Sequence, residues 1–212
     1  VGKPVYTVTN YYHQIFDQPS LWENNNTNIV RQHPEEALLL TIAANYPHKN
    51  LSVIPKVIEF LTSAYPTFKF SFVLTLDKKV FADAKPEILK HIQFIGPVTI
   101  RQCPTLYNQT DFMFLPTLLE CFSASYCEAM VMEKPILTSD LSFAKGICDN
   151  AAVYFDPVSP ESIGKAIVNL VDEKSLQVEL IKNGKQRLHS FDTAQQRAGK
   201  YISILEQITG LK

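Results

Sequence analysis

The stretch Asp111-Phe-Met-Phe-Leu-Pro116-Thr-Leu-Leu-Glu120-Cys-Phe-Ser-Ala-Ser-Tyr-Cys-Glu128-Ala-Met130 carries three elements in order. Asp111–Pro116 is largely apolar and of strand length. A loop of mostly small residues follows, and a helix is expected from Ser125 to Met132, with Glu128 in its first turn. A strand that passes through such a loop into a helix N-terminus makes an anion pocket. The loop leaves backbone N–H groups free, and the helix dipole favours negative charge there. Glu120 and Glu128 flank seven residues at that place. Carboxylates beside a phosphate pocket suit a ligand with hydroxyls next to its phosphates, and a nucleotide sugar is of that kind.

Working outward, apolar runs alternate with amphipathic segments. Ala37–Ala43, Lys69–Leu76, Ile92–Ile95, Pro135–Ser139 and Ala151–Phe155 read as strands, and Val5–Asn10 is a further short candidate. Ala37–Ala43 is almost wholly apolar, as expected of a strand covered on both faces. Helices are expected at Ser52–Tyr65, Lys85–Lys90 and Pro104–Gln109. In the first of these Ile54, Val57, Ile58 and Leu61 share a face, and Pro55 is tolerated in the first turn. Ser159 as N-cap and Pro160 at the first position start a helix to about Val171. Lys174–His189 and Thr193–Ile208 follow. Tyr11–Arg31, with the polar cluster Glu23–Thr27, reads as a long loop holding a helical turn.

This alternation predicts an α/β fold built on an open parallel sheet. Ligands of such sheets bind outside the carboxyl ends of the strands. That rule places Asn10, Ala44–Lys49, Gly96–Val98, Thr117–Ser125 and Ser139–Gly146 on one edge.

The chain of 212 residues is 46% hydrophobic and 19% charged, with a formal net charge of −1. It can bury a core without disulfides, and nothing in its overall charge favours nucleic acid or an anionic membrane. Cys103, Cys121, Cys127 and Cys148 form no CxxC pair and are expected to be reduced. His and Cys never cluster at ligand spacing and no DxD motif occurs, so neither a metal nor another cofactor is expected. The N-x-S/T triplets at Asn25, Asn50 and Asn108 are of a kind frequent by chance. No apolar run approaches the about 20 residues of a membrane span. The chain begins at Val1 with no signal-peptide pattern, and we expect a piece of a longer protein.

Phe114-Leu-Pro-Thr-Leu-Leu-Glu120-Cys-Phe-Ser-Ala-Ser-Tyr-Cys-Glu128-Ala-Met-Val-Met-Glu-Lys-Pro135 resembles the E-x7-E signature of glycosyltransferase family four. These are retaining enzymes of the GT-B fold, with two Rossmann-like domains. Four further pieces agree in order. Tyr46–Leu51 is similar to the family's phosphate loop, and Phe94–Val98 with Leu106-Tyr107 to its "G-x-V" and "L-Y". Ala151–Pro157 is similar to its "A-A-x-x-F-D-P", and His189–Asp192 to the entry of its last helix. The resemblance runs from about Val5 to Ile208, all within the C-terminal, donor-binding half. Residues 1–212 would then be one Rossmann-like nucleotide-sugar-binding domain, with 174–212 a helical extension and the N-terminal acceptor domain absent. The chain departs from the family in Cys121 and Ser123 where Gly is usual, and in Ser125 where Pro is usual. Ala43, Ala44 or Asn45 stands where many members carry a diphosphate-binding Arg, and a late Glu is replaced near Lys145-Gly146.

The resemblance assigns roles residue by residue. Glu128 would bind the ribose hydroxyls; its plain alternative is a helix-dipole partner. Glu120 would contact the donor sugar near the reacting carbon; its alternative is a solvated loop carboxylate. Lys49 would balance the leaving diphosphate, and Phe122, Ser123 and Ala124 would offer backbone N–H groups, provided Ser123 keeps a negative φ. Gly96, Pro97 and Val98 would cradle the nucleobase. Ser139, Asp140 and Lys145 are further candidates for phosphate or acceptor. His48 is read as a loop histidine, and Tyr11, Tyr12 and Trp22 as packing against the last helices. Ala198, Ile202 and Leu205 would lie exposed on the final helix. The implied activity is hexosyl transfer from a nucleotide diphosphate sugar to a glycan acceptor, in bacterial surface polysaccharide or lipopolysaccharide synthesis. The cytoplasm or the inner membrane face is the implied location. A non-catalytic nucleotide-sugar-binding module of the same fold is the alternative.

Overall fold

The computed structural model describes residues 2, 4–24 and 28–210. The Asn25 triplet, with the end of the Glu23–Thr27 cluster, lies outside the described residues. The apolar runs become six parallel strands: β1 Ala37–Thr41, β2 Phe70–Leu74, β3 Ile92–Phe94, β4 Phe112–Leu115, β5 Ile136–Ser139 and β6 Ala152–Phe155. Their order is β3-β2-β1-β4-β5-β6, the doubly wound arrangement expected from the alternation. Leu39 sits in register with Phe72 on one side and Phe112 on the other.

Successive strand residues point to opposite faces, so each central strand supplies two cores. Leu38, Leu40, Met113 and Leu115 pack under α3 (Cys103–Gln109), α4 (Ala124–Val131) and α5 (Ser142–Cys148). Leu39, Phe72, Phe112 and Phe114 pack under α1 (Ile54–Ala64), α2 (Pro86–Leu89) and α6 (Pro160–Asp172). The α1 stripe Ile54, Val57, Ile58 and Leu61 is wholly enclosed. Burying each of those side chains stabilises the fold by roughly 1.5–3 kcal/mol. Ser159 accepts a hydrogen bond from the Ser162 N–H and Pro160 opens α6, as its sequence requires. Helix α7 (Lys174–Leu188) buries Leu180, Gly184 and Leu188, whereas α8 (Ala194–Thr209) buries none of its residues.

Two expectations are corrected. Val5–Asn10 is not a strand: Val5 is exposed, and Thr9 is fixed by its N–H and hydroxyl to the Asp192 carboxylate instead of to a ladder. Residues 139–146 are not all loop, because Ser142–Cys148 forms α5. Among its described residues Tyr11–Arg31 holds two 3-10 turns, Gln14–Asp17 and Pro19–Leu21. Tyr11, Tyr12 and Trp22 pack on the core cluster that holds Tyr107 of α3 as well as Leu188 and Phe191, with Tyr12 edge-on to Phe16 and Phe16 edge-on to Tyr107.

Candidate functional site

Strand order reverses between β1 and β4, so the loops after these two strands open the crevice where such sheets bind ligands. The β1 loop closes with a 3-10 turn, Pro47–Lys49. It ends at Asn50 in the left-handed region, with φ 54°, a conformation Asn tolerates. The Asn50 side-chain amide donates to the Pro157 carbonyl at 2.8 Å and ties this loop to the segment after β6.

The β4 loop is stitched to the β1 loop through one carbonyl. The Leu118 N–H donates to His48 O at 2.7 Å, and Thr117 Oγ1 lies 3.1 Å from the same oxygen. Ser139 donates to the Thr117 carbonyl at 2.6 Å. This frame brings Lys49 and Glu120 together: Nζ stands 2.5 Å from Glu120 Oε1, with their side chains only 15% and 11% exposed. Thr117 Oγ1 is 3.0 Å from that carboxylate oxygen as well. A hydroxyl has one proton, so Thr117 serves one of these acceptors at a time. Glu120 is therefore an enclosed, paired carboxylate and not a solvated loop residue.

Ser123 precedes α4 with φ −88° and ψ 114°, meeting the condition for replacing Gly, and its hydroxyl makes no cap bond. Phe122 turns its ring edge-on to Phe191. The helix begins at Ala124, so Glu128 falls in the second turn and not the first. Glu128 is buried at 7% exposure, and Tyr107 Oη stands 3.2 Å from its Oε2 and 3.3 Å from the Ser125 carbonyl. Burial raises the Glu128 carboxyl to about 7, opposed by the Tyr107 hydrogen bond. Burial and the neighbouring Glu128 charge push the Cys103 and Cys127 thiols up to about 12. They are not nucleophiles at neutral pH.

A mainly apolar cleft of about 530 Å³ opens between the ends of β1, β2 and β3. Ile42, Ala43, Ala44, Asn45, Leu76, Pro97, Val98 and Cys103 are among its lining residues. Gly96 turns the chain into it with φ +76°, which a glycine adopts without strain. Cys103, in this wall, lies one helical turn before Tyr107, whose hydroxyl stands 3.2 Å from Glu128 Oε2.

The structure thus gathers Lys49 with Glu120, and Pro97 and Val98 beside a cleft, on one edge. It does not offer Ser139: that hydroxyl is fully buried and spent on Thr117. Asp140 and Lys145 pair with each other at the surface. His48 stacks on Tyr46 and contributes its carbonyl. Sequence reasoning placed Thr117 on the ligand edge without giving its hydroxyl a role, and it gave none to the Tyr107 hydroxyl. Thr117 falls at the end of β4, where a polar residue after an apolar strand signals the ligand edge. Tyr107 follows Leu106 on α3, and its hydroxyl needs a partner once buried. Among the described residues no group of three or more His, Cys, Asp or Glu could hold a metal ion, and no helix is long and apolar enough to cross a membrane.

Comparison with known proteins bears on the fold and the family. The chain is 22% identical over 183 residues to the O-antigen chain mannosyltransferase RfbU of Salmonella typhimurium, covering 84% of this chain and 50% of the relative. It is 21% identical over 137 residues to an uncharacterized glycosyltransferase of Methanocaldococcus jannaschii, covering 62% of this chain and 39% of the relative. The chain spans half or less of the length of these curated relatives. Among solved structures it is similar to S. aureus TarM in a complex with UDP, with TM-score 0.71 and 13% identity over 95% of this chain and 39% of that one. At these identities the shared feature is the fold, that of the GT-B glycosyltransferases. The family model for glycosyl transferases group 1 matches residues 23–187, and the chain belongs to that family.

Proposed function

We propose that the chain is the donor-binding domain of a retaining, family-four glycosyltransferase that moves a hexose from a nucleotide diphosphate sugar to a glycan acceptor. The observation that carries this reading is the Lys49–Glu120 pair, held by Thr117 where the strand order reverses. The nucleobase lies in the cleft beside Gly96, Pro97 and Val98, and Glu128 accepts from the ribose hydroxyls. The backbone N–H groups of Phe122, Ser123 and Ala124 take the donor's oxygens. Lys49 is shared between Glu120 and the diphosphate, and Glu120 faces the sugar. In transfer, the bond from the anomeric carbon to the diphosphate oxygen breaks. Lys49 and the α4 N-terminus stabilise the charge on the leaving group, and Glu120 the positive charge on the sugar. The acceptor oxygen bonds on the same face and its proton passes to the departing phosphate. No metal is needed.

The acceptor domain is the half of the protein outside these residues, consistent with relatives about twice as long. The domain alone should therefore bind donor without turnover. RfbU is named for O-antigen synthesis and mannose, which supports a hexose donor and a surface-polysaccharide setting. The cytoplasm or the inner membrane face follows as the location, because nucleotide sugars are its donors. Calorimetric titration with UDP and GDP tests the reading. Binding that Glu128→Ala weakens at least tenfold supports it, and absence of binding by either nucleotide sinks it. The specific observation favouring a non-catalytic module is the apolar wall Ala43-Ala44, which carries no Arg for the diphosphate. Donor binding without hydrolysis or transfer by the longer protein would decide for that reading.

A further inference from the structure

We infer that Tyr107 is a positioning residue for Glu128: its hydroxyl holds one carboxylate oxygen and leaves the other directed to an incoming hydroxyl donor. The inference rests on the donor-site reading above and deepens it. Tyr107 is 1% exposed, and its ring is pinned edge-on by Phe16 at 6.0 Å. Its hydroxyl stands 3.2 Å from Glu128 Oε2. Among the described residues Glu128 Oε1 has no hydrogen-bond partner. A buried carboxylate with one oxygen held and one unmet is complementary to a ligand that donates, and vicinal hydroxyls donate.

The phenol is suited to this task. Burial first, and then the Glu128 charge, raise its pKa well above the usual value, so it remains a donor across the physiological range. Its proton has two acceptors in reach, the carboxylate and the Ser125 carbonyl at 3.3 Å. The ionised carboxylate attracts that proton more strongly than a neutral carbonyl. The titratable groups acting here are Cys103 and Tyr107 on α3 and Cys127 on α4, while Arg187 on α7 acts on Cys127. Of these only Tyr107 donates to Glu128. Loss of its hydroxyl should leave Glu128 harder to ionise and free to turn.

The test is Tyr107→Phe, which keeps the ring and its contact with Phe16. The carboxyl carbon-13 signal of Glu128 should titrate at a higher pH than in the wild type. Affinity for UDP or GDP should fall about tenfold at pH 7, and by less at pH 8.5, where more of Glu128 is ionised. A merely structural role predicts an equal loss at every pH. Glu128→Gln, which keeps an acceptor for Tyr107 but cannot ionise, should leave between pH 6 and 8.5 only the pH dependence of the ligand's own terminal phosphate. A carboxyl midpoint that stays in place, or moves down, in Tyr107→Phe overturns the inference while leaving the donor site standing. A wild-type chain that binds neither nucleotide overturns the donor reading and the positioning role with it.

Discussion

Glu128 carries its charge at a cost that stability measurements can read. Its carboxyl titrates near 7 in the folded chain, against 4.5 as the ordinary value, with burial as the main cause. A folded pKa above the unfolded one means the folded state binds the proton more tightly. The contribution to stability is therefore complete below about pH 4.5 and is lost as pH rises through about 7. Between those limits the loss is about 2–3 kcal/mol. Urea unfolding at pH 5 and pH 8 should show this decline in the wild type and a nearly level profile in Glu128→Gln. Equal pH slopes in the two proteins would mean that Glu128 is solvated. Lys49 and Glu120 make the opposite case, a mostly enclosed pair that each partner needs. Lys49→Met should cost about 2–4 kcal/mol, because it leaves the carboxylate with Thr117 alone, and Glu120→Gln in that background should recover more than half. A double-mutant cycle with no coupling would contradict the pairing. At this scale the sequence singled out Lys49 and Glu120 but did not show that they meet. Lys49 and Glu120 are 71 positions apart, and only the stitching of two loops through His48 O brings them together.

Among the elements, the glycines of α6 and α8 separate packing from propensity. A Cβ on Gly164 would sit 2.4 Å from a ring carbon of Phe60 on α1, and that ring is itself set edge-on to Tyr65. Gly199 on α8 has nothing within 4 Å of such an atom. Ala gains about 1 kcal/mol over Gly in a helix interior, while overpacking costs about 1–3 kcal/mol. Gly199→Ala should therefore raise the denaturation midpoint and Gly164→Ala should lower it. A rise in both would show that Phe60 swings aside freely. The strands of the sheet were legible because fully buried strands must be apolar on both faces, as Ala37–Thr41 is. Helix α5 was overlooked for the converse reason: it is short and carries Lys145-Gly146 at its centre. Its signal was nevertheless present, in Phe143 with Ile147 and Ala144 with Cys148, each pair four apart. Val5–Asn10 misled because alternation alone cannot distinguish a strand from an extended arm, and here Asp192 takes Thr9 out of any ladder.

On the scale of the molecule, α8 poses a question of partnership. It buries nothing, yet its ends are well built: Thr193 and Gln196 form a capping box, and Gly210 stops the helix with φ 68°. Lys200 pairs with Asp192, and Arg197 with Asn10, so its first turns are tied to the N-terminal arm. Tyr201, Ile202, Leu205 and Ile208 then project into solvent as one apolar group, each more than half exposed. The expected exposure of Ala198, Ile202 and Leu205 is thus what the structure shows. Apolar side chains at helical spacing are retained where they are covered, and the relatives have about as much chain again to do it. If the chain is one half of a two-domain enzyme, this face belongs to the other half's contact and not to the core described above. Ile202→Lys with Leu205→Lys should then change the unfolding free energy of the 212-residue chain by no more than about 0.5 kcal/mol. The same pair should lower the thermal midpoint of the longer natural protein by several degrees and reduce its transferase rate, with nucleotide affinity retained. Loss of stability in the short chain would instead place α8 within its own core, and intact stability in the longer protein would leave the face without the proposed contact.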